Sequence, residues 1–157
     1  MLVFINGSIN SGKTTTSKLL AKKLKAEFIN FDDLNDLIPG FDLAKDIPKT
    51  FDIGINRINQ FNKEGRDVVA NYVVRTEDWA RLINEIETED KYLITLAPKL
   101  EIAQSNRGTR QLTDWEIARV KYHYGTNIAS PKHGHIIDNS CMTIDETVDQ
   151  ILKIIER

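Results

Sequence analysis

Along this chain the spacing of apolar residues switches repeatedly between a strand-like and a helix-like period. A short apolar run, Leu2-Val3-Phe4-Ile5, reads as a buried strand. From Thr15 to Leu24 the period lengthens, with Leu19, Leu20 and Leu24 on one helix face and Lys18, Lys22 and Lys23 on the other. Ala26 to Phe31 reads as a second strand ending in Asp32-Asp33, and Leu34 to Ile38 as a helical turn stopped by Pro39-Gly40. Phe41 to Thr50, which contains Pro48, has no clear period and predicts a loop. Ile55, Ile58 and Phe61 then predict a helix, with Gly65 at its C-terminal cap.

Asp67 to Val74 has the continuous apolar character of a strand buried on both faces. Thr76 is placed to cap a following helix whose apolar stripe is Trp79, Leu82, Ile83 and Ile86. Tyr92 to Leu96 predicts a fourth strand, and Lys99 to Ser105 a short helix. Thr113 and Glu116 form a capping box for a helix from Asp114 to Tyr124, ended by Gly125. His135 to Asp138 is a last short strand. Thr143 and Glu146 form a second capping box, before a final helix turned inward by Val148, Ile151, Leu152 and Ile155. Strands alternating with helices predict an α/β protein: a parallel sheet covered on both faces, with ligands at the C-terminal ends of its strands.

Composition narrows the picture. The 157 residues fit one domain spanning 1–157, and no repeat or linker divides them. A formal charge of −2 gives no basic footprint for nucleic acid. One cysteine, Cys141, rules out an internal disulfide and any multi-cysteine metal site. No apolar run is long enough to span a bilayer, and the N-terminal stretch lacks a signal peptide's basic region. A cytoplasmic, ATP-rich compartment is the expectation. The oligomeric state is not encoded in any pattern here.

Between the first strand and the first helix lies Gly7-Ser8-Ile9-Asn10-Ser11-Gly12-Lys13-Thr14, a full match to the phosphate-loop pattern G-x-x-x-x-G-K-[ST]. The loop backbone turns its N–H groups toward phosphates, and the helix N-terminus adds partial positive charge. Gly7, Ser8, Asn10, Ser11, Gly12, Lys13, Thr14 and Thr15 are therefore the nucleotide-binding set. Lys13 reaches the outer phosphates and the Thr14 hydroxyl can ligate Mg²⁺. Kinases, ATPases and GTPases all use such a loop, so the reaction must be read elsewhere.

Three further places fall at strand C-termini or between helices. One carboxylate of Asp32-Asp33 can accept the proton of a substrate hydroxyl while the other approaches Mg²⁺ through water. Arg107 and Arg110 flank Gly108 in a polar loop, where they can close over a transferring phosphoryl group. Asn71 and Arg75 end the third strand, and Arg75 with Arg57 could read a polar or anionic substrate. His123, His133 and His135 lack metal-site spacing and read as structural. Trp79 and Trp115 fall on helical stripes and read as core. Asp138 to Cys141 follows the last strand, on the side where a nucleotide base would lie.

Together, the N-terminal phosphate loop, Asp32 after strand two, the loop from Arg107 to Arg110 and the Ile136-Ile137-Asp138 strand resemble small phosphate-loop kinases. The resemblance is to the shikimate kinase and gluconate kinase group, and more closely to chloramphenicol phosphotransferase-like proteins, through Phe31-Asp32-Asp33-Leu34 and Ile38-Pro39-Gly40. It implies an α/β/α sandwich of nucleoside-monophosphate-kinase type with five parallel strands, using ATP and Mg²⁺. It further implies Lys13 and Thr14 on phosphates and metal and Asp32 as base, which leaves Asp33 as the carboxylate of the pair on the metal side. Arg107 and Arg110 become lid arginines in a lid at about 105–113, and acceptor binding falls at about 33–65. Asn71 departs from relatives that carry an acid after strand three.

The expected activity is phosphorylation of a small-molecule hydroxyl, on an antibiotic-like or sugar-like acceptor. Two alternatives stand beside it. One is a nucleoside or nucleotide kinase, with Arg57 and Arg75 on an acceptor phosphate. The other is a nucleotide-dependent switch with little turnover.

Overall fold

The computed structural model describes residues 1–156. Five parallel strands carry the fold: β1 (Leu2–Gly7), β2 (Glu27–Asn30), β3 (Val68–Tyr72), β4 (Lys91–Leu96) and β5 (His135–Ile137), in the order β2-β3-β1-β4-β5. β1 is central, pairing with β3 from Leu2↔Val68 to Asn6↔Tyr72 and with β4 from Leu2↔Lys91 to Gly7↔Leu96. All of β1 is buried because helices cover both faces of the sheet.

Alternation along β1 sorts its side chains between two cores. Leu2 and Phe4 join Ile29, Phe31, Phe51, Ile55, Ile58 and Trp79 on one side. Val3 and Ile5 join Leu20, Ala21, Val69, Val148 and Ile151 on the other. The first core lies under α2 (Phe31–Leu34), α3 (Ile47–Lys63) and α4 (Trp79–Asn84), and the second under α1 (Lys13–Leu24) and α7 (Ile144–Ile155). Two further helices, α5 (Leu100–Ala103) and α6 (Asp114–Gly125), stand at the strand ends. Among the described residues, no helix is long and apolar enough to cross a membrane.

Three local expectations are corrected. β2 stops at Asn30, and Phe31 opens α2 instead of ending the strand, because its ring is buried in the core below the sheet. Asp32 and Asp33 therefore sit on a helical turn. The predicted loop from Phe41 to Thr50 is helical from Ile47: Pro48 occupies the first turn, where its missing N–H costs nothing, and does not break the helix. Thr76 caps no helix; a 3₁₀ turn at Thr76–Asp78 precedes α4, and the Thr76 hydroxyl donates to the Thr126 carbonyl at 3.4 Å.

Local signals account for the other boundaries. Both capping boxes form, with the Thr113 and Thr143 hydroxyls accepting from the Glu116 and Glu146 backbone N–H at 3.2 Å each. α3 ends in a Schellman motif: Arg66 N–H bonds the Phe61 carbonyl at 2.9 Å and Gly65 N–H bonds Asn62 at 3.0 Å. Gly65 has φ +74°, the left-handed conformation that this ending needs.

The packing that matters most for the site is aromatic. Phe31 meets Phe4, Phe51 and Tyr72 with ring centroids 5.3, 5.6 and 5.6 Å away. Gly54 on α3 lets that helix lie directly on the Phe31 ring. The Thr50 hydroxyl adds a 2.6 Å bond to Asn35, just beyond α2. The short turn bearing Asp32 is thus held by a packed cluster beneath it.

Candidate functional site

The phosphate loop leaves β1 and enters α1 through two left-handed residues, Asn10 at φ +62° and Gly12 at φ +87°. Nothing crowds the space where a Cβ at Gly12 would lie, so conformation is what requires glycine there. The loop's outer side is clamped by side-chain bonds. Asn10 Nδ2 donates to the Ala103 and Ser105 carbonyls at 2.9 and 2.8 Å, and Asn139 Nδ2 donates to the Ser11 carbonyl at 3.0 Å. Arg107 donates to the Asn10 carbonyl at 3.1 Å. These bonds hold a curled loop whose inner backbone faces a cavity of about 460 Å³, lined by Asn10, Gly12, Lys13, Thr14, Thr15 and the Arg107–Arg110 turn.

A second cavity, of about 350 Å³, opens on the other side of Lys13 and Thr14. Asp32, Leu43, Ile47, Tyr72 and Arg75 line it from one side of the chain's fold; Trp115, Arg119, His123 and Ile128 line it from the segment after the arginine loop. Three residues border both cavities: Lys13, Thr14 and Arg110. The two spaces therefore meet at two cations and one hydroxyl.

Charges at this junction are set by their surroundings. Burial lowers the Lys13 pKa; Asp32 opposes the shift and Arg110 adds to it. Its Nζ donates to the Ser8 carbonyl at 3.3 Å. The Asp32 side chain opens into the cleft, yet the walls remove enough water to raise its pKa above the ordinary value. Lys13 pulls it back and Asp33 pushes it further up. Glu116 is shared between two tasks: Oε2 accepts from the Thr113 backbone at 2.9 Å, while Oε1 holds Arg110 at 2.6 Å. The start of α6 and the junction arginine are therefore one unit.

Several expected residues lie elsewhere. Arg57 is exposed on α3 and lines neither cavity. Asp33 also lines neither, and accepts from Asn30 Nδ2 at 2.8 Å. Asn71 shares the Val69 face of β3, is fully buried and lines neither cavity, and its amide has no protein partner. Trp115 is not core: it is 61% exposed at the mouth of the second cavity, whereas Trp79 is buried as expected. Arg75 does line that cavity, bonded to Asp78 at 2.8 Å.

The sequence also carried a signal that simple period counting passes over. Trp115, Arg119 and His123 are spaced four apart on α6, so they form one stripe, and all three line the second cavity. His123 is buried at the deep end, its Nδ1 3.0 Å from the Ser8 hydroxyl. Burial first, then Arg119 and Lys13, lower its pKa to about 4. It is neutral at pH 7 and ties the wall of the second cavity to the phosphate loop. The unfolded imidazole, near 6.5, protonates before the folded one. The stability that this group contributes is complete above 6.5 and lost as pH falls toward 4, by roughly 2–3 kcal/mol. NMR titration should show the His123 Cε1–H resonance unmoved at pH 5.5 and shifting only near 4; a midpoint at 6 or above contradicts this placement.

For a divalent cation the donor set is sparse. Thr14 offers a hard oxygen at the junction, and no cluster of three or more His, Cys, Asp or Glu side chains suited to a metal exists among the described residues. That fits Mg²⁺, which keeps most of its shell as water and phosphate oxygens.

No family model matches the chain, and no curated protein matches it in sequence. Solved structures match over nearly its whole length. A sugar kinase from Janibacter sp. HTCC2649 is 15% identical over 99% of this chain and 94% of its own, with a TM-score of 0.75. A gluconokinase from Sinorhizobium meliloti 1021 is 14% identical over 99% and 91%, with a TM-score of 0.77. Shikimate kinase from Aquifex aeolicus is 14% identical over 99% and 96%, with a TM-score of 0.64. The chain has the α/β fold of these phosphate-loop kinases. Nothing in these likenesses favours the chloramphenicol phosphotransferase-like proteins in particular.

Proposed function

We propose that this chain is an ATP-dependent phosphotransferase that phosphorylates a hydroxyl of a small molecule. The observation that carries the reading is the meeting of two cavities at Lys13, Thr14 and Arg110, with Asp32 on the acceptor side. Bound ATP would supply the γ-phosphoryl group from the phosphate-loop cavity, with Mg²⁺ held by Thr14 and by water. Asp32 accepts the proton of the acceptor hydroxyl, and its raised pKa brings it closer to an effective base. Lys13 and Arg110 offset charge that develops on the transferring oxygens, and Arg107 orders the donor side through Asn10. Residues 105–113 act as lid and 33–65 contribute acceptor contacts within one domain, in a cytoplasmic, ATP-rich setting. Neither nucleic acid nor membrane is needed as a partner.

A nucleotide acceptor is the weaker reading, because Arg57 lies outside the cleft and Arg75 is already paired. The test is ADP release from ATP and Mg²⁺ across small hydroxyl compounds, nucleosides and nucleotides. Acceptor-dependent release is expected for a hydroxyl compound. Tight ATP binding with every acceptor at the blank rate contradicts the reading and favours a switch.

A further inference from the structure

A buried polar frame around β1 holds the deep end of the second cavity. Asn6, fully buried, donates from Nδ2 to the Thr95 hydroxyl at 3.0 Å and to the Ile128 carbonyl at 2.8 Å. Its Oδ1 accepts from the Val74 N–H at 2.8 Å. The Ile128 N–H in turn bonds the His123 carbonyl at 3.1 Å, near the end of α6. Two residues beyond Asn6, the Ser8 hydroxyl meets His123 Nδ1 at 3.0 Å. His123 is thus tied to the β1 end of the sheet by its backbone and again by its ring.

These partners decide which ring nitrogen carries the proton. Ser8 is fully buried and lines neither cavity, and its hydroxyl has no acceptor but Nδ1 among the described residues. A proton on Nδ1 would leave the buried Ser8 O–H with nothing to donate to, so Nδ1 is the accepting nitrogen. Burial, with Arg119 and Lys13 close by, keeps the ring neutral at pH 7, and its single proton is therefore on Nε2. No protein group among the described residues bonds Nε2, and it is not one of the buried atoms left without a partner. It opens to the cavity that His123 lines. The result is a rigid, uncharged hydrogen-bond donor. It lies with Asp32 on the second cavity and not on the phosphate-loop cavity.

We infer that His123 is a substrate-binding residue whose Nε2–H donates to an uncharged oxygen of the acceptor, a hydroxyl, ether or carbonyl other than the hydroxyl addressed by Asp32. The reacting hydroxyl rests on the phosphotransferase reading, while the donor stands on the cavity itself. The two groups ask for opposite things: Asp32 takes a proton and His123 offers one to share. A compound with a single hydroxyl can satisfy only one of them, whereas one with two oxygens can span both. Because the ring is already fixed by Ser8, binding orders no further side chain there.

The first readout is the tautomer. Long-range ¹H–¹⁵N NMR of the native protein at pH 7 should show a protonated Nε2 and a bare Nδ1; a proton on Nδ1 overturns the proposal. Glycerol and propan-1-ol are then titrated into the protein without nucleotide. Glycerol should shift the Nε2 resonance saturably, with propan-1-ol about tenfold weaker or worse. No shift with glycerol, or an equal response to both alcohols, overturns the proposal.

Two variants separate a ligand contact from a bond that serves the fold alone. His123→Asn keeps an oxygen near Nδ1 for the Ser8 hydroxyl and removes the donor into the cavity. His123→Gln keeps a donor at the reach of Nε2 and gives up the Ser8 bond. Read from the backbone amide of Ile128, which lines the cavity, glycerol affinity should fall about tenfold in His123→Asn and less in His123→Gln. The reverse order, or no difference, overturns the proposal. Glycerol binding through Nε2 with no acceptor-dependent ADP release supports the donor and counts against the phosphotransferase. Acceptor-dependent ADP release that His123→Asn leaves unchanged does the reverse.

Discussion

Asp32→Asn is expected to slow acceptor phosphorylation by roughly 100- to 10,000-fold while leaving ATP affinity nearly unchanged. The asymmetry follows from position. Asp32 lines the acceptor cavity and not the phosphate-loop cavity, so the change removes a proton acceptor without touching the nucleotide's contacts. Asparagine keeps the shape and cannot take the proton. The native rate should also fall as pH drops through the Asp32 pKa, which burial holds above the ordinary carboxylate value. That acid limb should vanish in the variant. The sign for stability runs the other way from most aspartates. A raised folded pKa means that the ionised group costs the fold stability above that pKa, and the cost is absent below the unfolded value. The variant should therefore melt no lower than the native protein near neutral pH. A variant as fast as the native protein would move suspicion to Asp33, despite its bond to Asn30.

The second large effect lies outside both cavities. A Cβ on Gly54 would stand 2.1 Å from Phe31 Cζ and 2.5 and 2.6 Å from the neighbouring ring carbons. The Phe31 ring is fully buried between Phe4, Phe51 and Tyr72 and has nowhere to go without moving α2. Gly54→Ala should cost about 3 kcal/mol, at the upper end of usual overpacking, despite alanine's better helix propensity. For a chain of this size that lowers Tm by roughly 6–12 °C. Because Asp32 follows Phe31 directly, turnover should fall as well, even where the variant remains folded. Phe31→Leu added to Gly54→Ala should recover part of the Tm. An unchanged Tm in the single variant would contradict the packing described for α3 on α2.

The parts legible in sequence were those whose cause is local. A strand, a glycine-bearing loop and a helix follow one another within residues 2–24, so the motif and its context carry that turn of the chain. The capping boxes fix the starts of α6 and α7 to the residue, since a Thr and a Glu three apart make both halves of the bond. The second cavity has no such local cause. Its walls come from α2, the segment around Leu43, the end of β3, and α6, which only the sheet order brings together. Arg57 and Arg119 look equivalent in sequence; α3 turns one to solvent and α6 turns the other into the cleft. Trp115 fits a helical stripe, but that stripe faces the cavity and not the core. Pro48 misled for a related reason: its effect depends on whether it stands inside a helix or at its first turn.

In the proposed reaction a phosphoryl group passes from the phosphate-loop cavity to a hydroxyl across the Lys13, Thr14 and Arg110 junction. The transfer is tested most directly by ³¹P NMR of the native protein with ATP, Mg²⁺ and a panel of small hydroxyl compounds. A phosphomonoester signal that grows in step with ADP, and is absent with Asp32→Asn, is the predicted result. ADP accompanied only by inorganic phosphate, at a rate that no acceptor changes, would contradict transfer to a hydroxyl.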